Sequence, residues 1–364
     1  MSNHAFAEYI WLDGTEPTRQ LRSKMRVLNL TDKPIISDFP EWGFDGSSTN
    51  QATGDDSDCI LKPVNFIEDT TREKGDYLVM CEVFEPNGKA HSSNSRAQLR
   101  KILELGAKSV DPWIGFEQEY TLFKERDPLG WPTDGFPPPQ GPYYCGVGAK
   151  EVFGRELAEL HAKKCNEAKL MFYGINAEVM PGQWEFQIGF RGINEEKNDV
   201  LNISDHLWFA RWLLQKLGEK YGIHVSFENK PVKGDWNGAG MHTNFSTNKT
   251  RNSNDGIEHI EKAIKILSQK HMEHIKLYGH NLSDRLTGLH ETCDIETFKY
   301  GIADRGSSIR IPQNVHQKGY GYFEDRRPGA NSDPYLVAAR LCLSVCDMDE
   351  EIMEFKQWPR EDKI

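Results

Sequence analysis

Apolar and polar positions alternate with period two in the first quarter of the chain and fall on three-and-four spacings beyond it. Residues 9–12, 24–28 and 77–84 read as strands, the last running into the turn Glu85-Pro86-Asn87-Gly88. Residues 41–48, rich in glycine and serine, read as a loop. Further on, Val200, Ile203, Leu207, Ala210, Leu214, Leu217 and Tyr221 form one helical stripe, and Ile257, Ile260, Ile264, Leu267, Ile275 and Tyr278 nearly repeat it. Shorter helices are expected over 96–105, 152–168 and 335–346, with Ser93 and Ser95 as capping candidates for the first. Residues 131–148 hold too much proline and glycine for a helix or a central strand, and read as an ordered loop or flap. The change of period predicts two units, a small one over 1–90 and a larger one over 95–364. A chain of 364 residues is also long for one core.

The same alternation sorts the chemistry. A strand over 113–123 puts Ile114, Phe116, Tyr120 and Leu122 on one face and Glu117 and Glu119 on the other. Within 176–189, Trp184, Phe186 and Ile188 alternate with Gln183, Glu185 and Gln187, and Glu178 precedes a Pro181-Gly182 turn. A glycine-rich turn from Asn237 leads into a strand with His242, Asn244 and Ser246 on one side. Tyr322-Phe323-Glu324-Asp325-Arg326-Arg327-Pro328 sets acids and arginines beside aromatics.

Each segment alone has an ordinary reading as a solvated strand face, a structural histidine or a surface ion-pair cluster. Taken together, Glu117, Glu119, Glu178, Glu185, Glu324 and His242 make a cluster that like-charge repulsion forbids unless cations fill it. Carboxylate oxygens suit Mg²⁺ or Mn²⁺, and a two-metal carboxylate site serves phosphoryl transfer. Arg285, Arg305, Arg310 and Arg326 then gain a purpose as anion-binding groups.

Composition removes other classes. No run of about 18 apolar residues offers a membrane span, and the first residues lack the basic start of a secretory leader, so a cytoplasmic location is expected. A formal net charge of −11 disfavours a nucleic-acid partner. Seven cysteines, with no CxxC pair and no clustering near histidines, argue against structural zinc and a disulfide framework.

Several long strings resemble the eukaryotic-type glutamine synthetase family. They are Phe116-Glu117-Gln118-Glu119-Tyr120, the run from Asn176 to Gln187, Asn237 to Ser246, Leu286-Thr287-Gly288-Leu289-His290-Glu291 and Phe323 to Pro328. Tyr9-Ile10-Trp11-Leu12-Asp13-Gly14, Phe44-Asp45-Gly46-Ser47-Ser48 and the run Gly141 to Gly148 extend the likeness over essentially the whole chain.

The resemblance implies an α+β protein, with a small N-terminal β-grasp domain and a larger catalytic domain built on a curved antiparallel sheet. It implies a homo-oligomer of two stacked pentameric rings with active sites between subunits. It also implies ligation of ammonium to the γ-carboxylate of L-glutamate through γ-glutamyl phosphate, with ATP as substrate and two or three Mg²⁺ or Mn²⁺ ions per site. By the same resemblance, Glu119, Glu178 and Glu185 hold the metal beside glutamate, and Glu117, His242 and Glu324 the metal beside ATP. Trp131, Asn244, Ser246, Arg310 and Tyr322 match ATP-binding positions. Asn237, Gly238, Arg285, Arg305 and Arg326 match positions for glutamate and the transferring phosphate, and Asp45 and Glu291 those for ammonium and closure, with Arg305 and Arg310 aiding the chemistry.

Two departures stand out. The charged insertion Asn194-Glu195-Glu196-Lys197-Asn198-Asp199 follows Phe190-Arg191, where the family continues with proline, and predicts a longer surface loop. The arm before Tyr9 is short for the family. Two alternatives stay open, a related γ-glutamyl-amine ligase and a non-catalytic oligomeric homologue.

Overall fold

A computed structural model describes residues 3–193, 196 and 199–346. The first sheet joins β1 (Asn3–Leu12), β2 (Leu21–Leu30), β3 (Trp42–Asp45), β4 (Asp58–Glu68) and β5 (Tyr77–Phe84) in the order β2-β1-β5-β4-β3. β1 and β5 are parallel and the other pairs antiparallel. Both faces of this sheet are covered. Ala5, Ala7, Tyr9, Trp11 and Val79 point into a small core of their own, while Ile10, Leu12, Leu78 and Met80 join the main core. Such a strand carries apolar residues in succession, so β1 begins at Asn3, well before the short segment that alternation predicts, and ends with it at Leu12.

Two further differences have local causes. The expected loop over 41–48 is the edge strand β3 followed by a short 3-10 turn, because Phe44 buries against Trp11 with ring centroids 4.9 Å apart. β4 escapes the pattern because Pro63 interrupts it; the ladder with β5 shifts register between Pro63 and Asn65.

The main unit opens with α1 (Ser95–Leu105), capped by Asn94 and not by Ser93 or Ser95. Then come β6 (Trp113–Lys124), β7 (Asp127–Pro128), α2 (Arg155–Glu167), β8 (Phe172–Ala177), β9 (Gln183–Gly189), α3 (Val200–Tyr221), β10 (His224–Ser226) and β11 (Met241–Ser246). The chain finishes with α4 (Gly256–Gln269), α5 (His271–Ile275), α6 (Leu282–Arg285), β12 (Tyr300–Ile302), β13 (Ile309–Ile311), α7 (Gln313–Lys318), β14 (Phe323–Asp325) and α8 (Pro334–Val345). The expected stripe over 257–278 breaks at Lys270 into α4 and α5, and α2 starts at Arg155 after the left-handed Gly154.

Nine strands form one largely antiparallel sheet, with the path β12-β13-β14-β11-β6-β9-β8 and β7 and β10 paired to β6. Phe116, Tyr120, Leu122, Trp184, Phe186, Ile188 and Phe245 face the core beneath it, against α2 and α3, with α8 packed on α3. This is the α+β arrangement expected. All seven cysteines are free, but Cys165 lies 3.1 Å from Nε2 of His161, one turn earlier on α2, so the expected absence of clustering near histidines fails at a pair whose four-residue spacing on a helix brings the two side chains together. Among the described residues no helix is long and apolar enough to cross a membrane. Most of the charged insertion at 194–199 lies outside the described residues; within it, Glu196 binds Arg191 and Asp199 caps α3.

Arg96 ties the two sheets together. Its guanidinium meets Glu82 of β5 at 2.8 Å and Asp205 of α3 at 2.8 Å, and Asp205 also accepts from Asn65 of β4 and Tyr335 of α8. Removing one partner of a buried charge network leaves the others unpaired. Arg96→Met is therefore expected to lower stability by about 3–5 kcal/mol, read as a fall in the denaturant midpoint. An unchanged midpoint would mean that the Arg96 ion pairs add nothing to the packing and to the Asn65–Asp205 bond that also join the two units.

Candidate active site

Strand register builds the site. Glu119 of β6 stands directly opposite Glu185 of β9, Glu117 opposite His242 of β11, and Asn244 opposite Glu324 of β14. Glu178 enters from the β8–β9 turn, where Gly182 holds φ +71° and an added Cβ would meet the Leu129 carbonyl oxygen at 2.8 Å. Ligand atoms of Glu119, Glu178 and Glu185 all lie within 4.8 Å of one another, and so do those of Glu117, His242 and Glu324. These are the two triads expected for the metals.

Both are taken out of water. Glu119, Glu185 and His242 are 6%, 6% and 7% exposed, and Glu324 is 1% exposed. Desolvation, then the repulsion of Glu119, pushes the Glu178 carboxyl up to about 8. Desolvation raises Glu119 to about 7, against the opposing pull of Arg285 and the N–H of Gly240. Glu185 is driven well above the carboxylate range by burial and by Glu117, Glu119 and Glu178. Burial, with Arg326 nearby, holds His242 neutral, and its Nδ1 faces Glu117 Oε2 and Glu324 Oε1 at 3.6 Å each. A set of hard oxygen donors that resists ionising together is what a divalent cation would relieve, so these residues fit Mg²⁺ or Mn²⁺.

The triads open into a cleft of about 470 Å³ whose other wall is cationic. Arg285, Arg305, Arg310 and Arg326 all line it, together with Asn237, Gly238 and Glu291. Arg310 and Arg326 bind Glu324 at 2.7 and 2.6 Å, and Arg285 donates to His242 Nε2 at 3.0 Å. Gly240 permits this closeness, since a Cβ there would meet Arg285 Nη2 at 2.5 Å.

Other expected positions are not gathered. Asn244 donates to Glu117 at 2.8 Å without lining the cleft. Trp131 packs on Trp236, Ser246 accepts from Arg251 at 2.9 Å, and Tyr322 stands 36% exposed beside Arg310. Asp45 is exposed at the end of edge strand β3, its carboxylate held by the hydroxyls of Ser47 and Ser48, and it takes no part in this chain's cleft.

Sequence reasoning assigned no role to Tyr144, Asn176, Gln187 or His290, all of which line the cleft. Asn176 donates to Glu178 at 2.8 Å and Gln187 to Glu185 at 2.7 Å. Their polar alternation beside the metal candidates was the available signal.

Comparison with known proteins agrees with this geometry. A family model described as "Glutamine synthetase, beta-Grasp domain" matches residues 3–86, and one described as "Glutamine synthetase, catalytic domain" matches residues 92–275. The chloroplastic glutamine synthetase of Chlamydomonas reinhardtii is 53% identical over 349 residues, 93% of this chain and 90% of that protein. The glutamine synthetase of Streptomyces viridochromogenes is 52% identical over 341 residues, covering 93% and 96%, and that of Saccharomyces cerevisiae 49% over 358 residues, covering 98% and 93%. With the two described regions in order along the chain and these relatives matched nearly end to end, the chain belongs to the glutamine synthetase family.

Proposed function

We infer that the protein joins ammonia to the γ-carboxylate of L-glutamate with ATP hydrolysis, giving L-glutamine, ADP and phosphate. The observation that carries this reading is one cleft in which two acidic triads, one of them completed by His242, face four arginines. A carboxylate is a poor electrophile, so it must first be activated. Its oxygen attacks the terminal phosphorus of ATP, the bond to the ADP oxygen breaks, and γ-glutamyl phosphate forms. Arg305 and Arg310 offset the charge spread over the phosphoryl oxygens. Arg285, Arg326, Asn237 and Gly238 hold glutamate, while Trp131, Asn244, Ser246, Arg310 and Tyr322 hold the nucleotide. Glu119, Glu178 and Glu185 hold one Mg²⁺ or Mn²⁺ and Glu117, His242 and Glu324 another; bound there, the cations supply positive charge against the transferring phosphate. Asp45 and Glu291 attract ammonium and take its proton, and ammonia then displaces phosphate from the acyl carbon.

Asp45 lies outside its own chain's cleft, which supports a ring in which each N-terminal unit completes a neighbour's site. Two stacked pentameric rings, a division into domains over 1–90 and 95–364, a cytoplasmic location and the absence of a nucleic-acid partner belong to the same reading.

The direct test is phosphate release from ATP with Mg²⁺ and glutamate, with and without ammonium, beside a panel of larger amines. Phosphate and glutamine formed in step, and only with ammonium, is the expected result; preference for a larger amine would move the chain to a related γ-glutamyl ligase. Glu324→Ala is expected to cut phosphoryl transfer by at least about a hundredfold with the fold intact. Asp45→Ala is expected to impair ammonium use more than glutamate activation, and equal loss of both would sink its assignment.

The raised carboxyl groups give a pH signature. With the native Glu178 near 8 against an ordinary 4.5, the folded state binds more protons than the unfolded one between those values. Stability of the cation-free protein then falls as pH rises through that window. Mn²⁺ is expected to reverse the trend and to release protons on binding, both readable by thermal melts and by calorimetry in buffers of different ionisation enthalpy.

A further inference from the structure

One polar side chain joins three separate loops at the mouth of the cleft and has no role in the scheme above. Gln140, in the proline-rich segment that follows Trp131, accepts through Oε1 from the backbone N–H of Asn237 at 2.6 Å. Its Nε2 lies 2.9 Å from Nδ1 of His290, the residue before Glu291. The partners fix the proton positions. Asn237 N–H can only donate, so the amide oxygen faces it and the amide NH₂ faces His290, whose Nδ1 must therefore accept. The imidazole proton then sits on Nε2, 3.1 Å from Asp235 Oδ1.

The segment held by this bond is strained. His290 and Glu291 are consecutive non-glycine residues in the left-handed region, at φ +52° and +58°. Such backbone persists only where its surroundings hold it. Glu291 is exposed, and its own tie to the body of the protein is a carbonyl accepting from Arg326 Nη2 at a long 3.3 Å. Gln140, by contrast, stands on a firm base. The neighbouring Gly141 N–H donates to the Val179 carbonyl at 3.1 Å, and the Cys145 N–H to that of Ala177 at 3.0 Å, so this loop is fastened on both sides of Glu178.

We propose that Gln140 is a positioning residue that latches the His290–Glu291 segment over the cleft, and that the latch shields the activated glutamate from water. It touches neither substrate nor cation and acts through His290 and Asn237. The inference rests on the reading of the site as a glutamine-forming one, in which opening of the segment lets water attack the acyl phosphate and yields glutamate and phosphate without product.

The test is the ratio of phosphate released to glutamine formed, in the full-length assembled protein and in Gln140→Met, a variant of similar volume with neither bond. Of the two bonds lost, the one to His290 holds the segment, and its loss at ordinary hydrogen-bond strength should raise the open population, and hence glutamate-dependent phosphate release without ammonium, by about fivefold. The ratio with ammonium should rise above one, while KM for ATP stays put. A purely structural role would lower all rates together and leave the ratio at one, and that outcome would overturn the latch. If Gln140→Met does not assemble, His290→Ala keeps the Asn237 bond and carries the same expected ratio and the same overturning result. No glutamine from the unaltered protein would sink the functional reading and the latch together, whereas coupled turnover in both proteins sinks the latch alone.

Discussion

Burial of like charge is the constraint around which this structure is arranged. The β6–β9 register sets Glu119 against Glu185, a cross-strand pairing that two ionised carboxylates make unfavourable. Desolvation leads the causes that raise Glu119, Glu178 and Glu185, and mutual repulsion adds to it. The arginines do not cancel this. Arg310 and Arg326 are bonded to Glu324 in the other triad, and here Arg285 and, less strongly, Arg326 moderate Glu119. Guanidinium groups thus bond Glu324 in one triad, while burial and repulsion drive the carboxyls of the other toward the protonated form. In that second triad a cation competes against protons, where in the first it competes against arginines.

Holding such a cluster requires a rigid support, and the period of two supplies it. Between Glu117 and Glu119 the chain points Gln118 the other way, fully buried, where its amide oxygen accepts from Arg211 Nε at 2.9 Å and its amide nitrogen donates to the Ala330 carbonyl at 3.1 Å. Beside Glu324, Asp325 points backward too and binds Arg327 at 2.7 Å and the Tyr278 hydroxyl at 2.9 Å. On β6 and β14 the residues that carry charge into the cleft alternate with polar residues pinned from behind, whereas on β9 Glu185 alternates with the core residues Trp184 and Phe186. Those rear bonds are made in a dry interior, where an unpaired group is costly, and so they fix the sheet's geometry against the repulsion at its front.

What was legible in the sequence followed from local rules. α3 was readable to its ends because its stripe is continuous and Asp199 and Gly222 close it. Glu117 and Glu119 were assigned to one face correctly because alternation is a property of the strand itself. The pairing of Glu119 with Glu185 was not readable, since register is set by distant segments. β4 was hidden by Pro63, and β3 by the glycines around Phe44. The six acidic and imidazole residues were readable as one cluster because their types are unusual in company, and their division into two triads came from the family resemblance; Gln140 was not readable, because a lone glutamine in a proline-rich loop carries no such mark.

The placement of Asp45 follows from the same electrostatics. The hydroxyls of Ser47 and Ser48 hold its carboxyl below the ordinary range, whereas burial pushes the cleft carboxyls above theirs. On the proposed reading Asp45 attracts ammonium, and an acid with that task must stay ionised whether or not cations are bound. Inside the cleft, Asp45 would share the desolvation that raises Glu178. On an exposed edge strand of a separate sheet it keeps its charge, and on the proposed assembly it reaches the reaction only when a neighbouring subunit presents it. Supplying that residue from outside solves a problem that adding one more glutamate to the nine-stranded sheet would make worse.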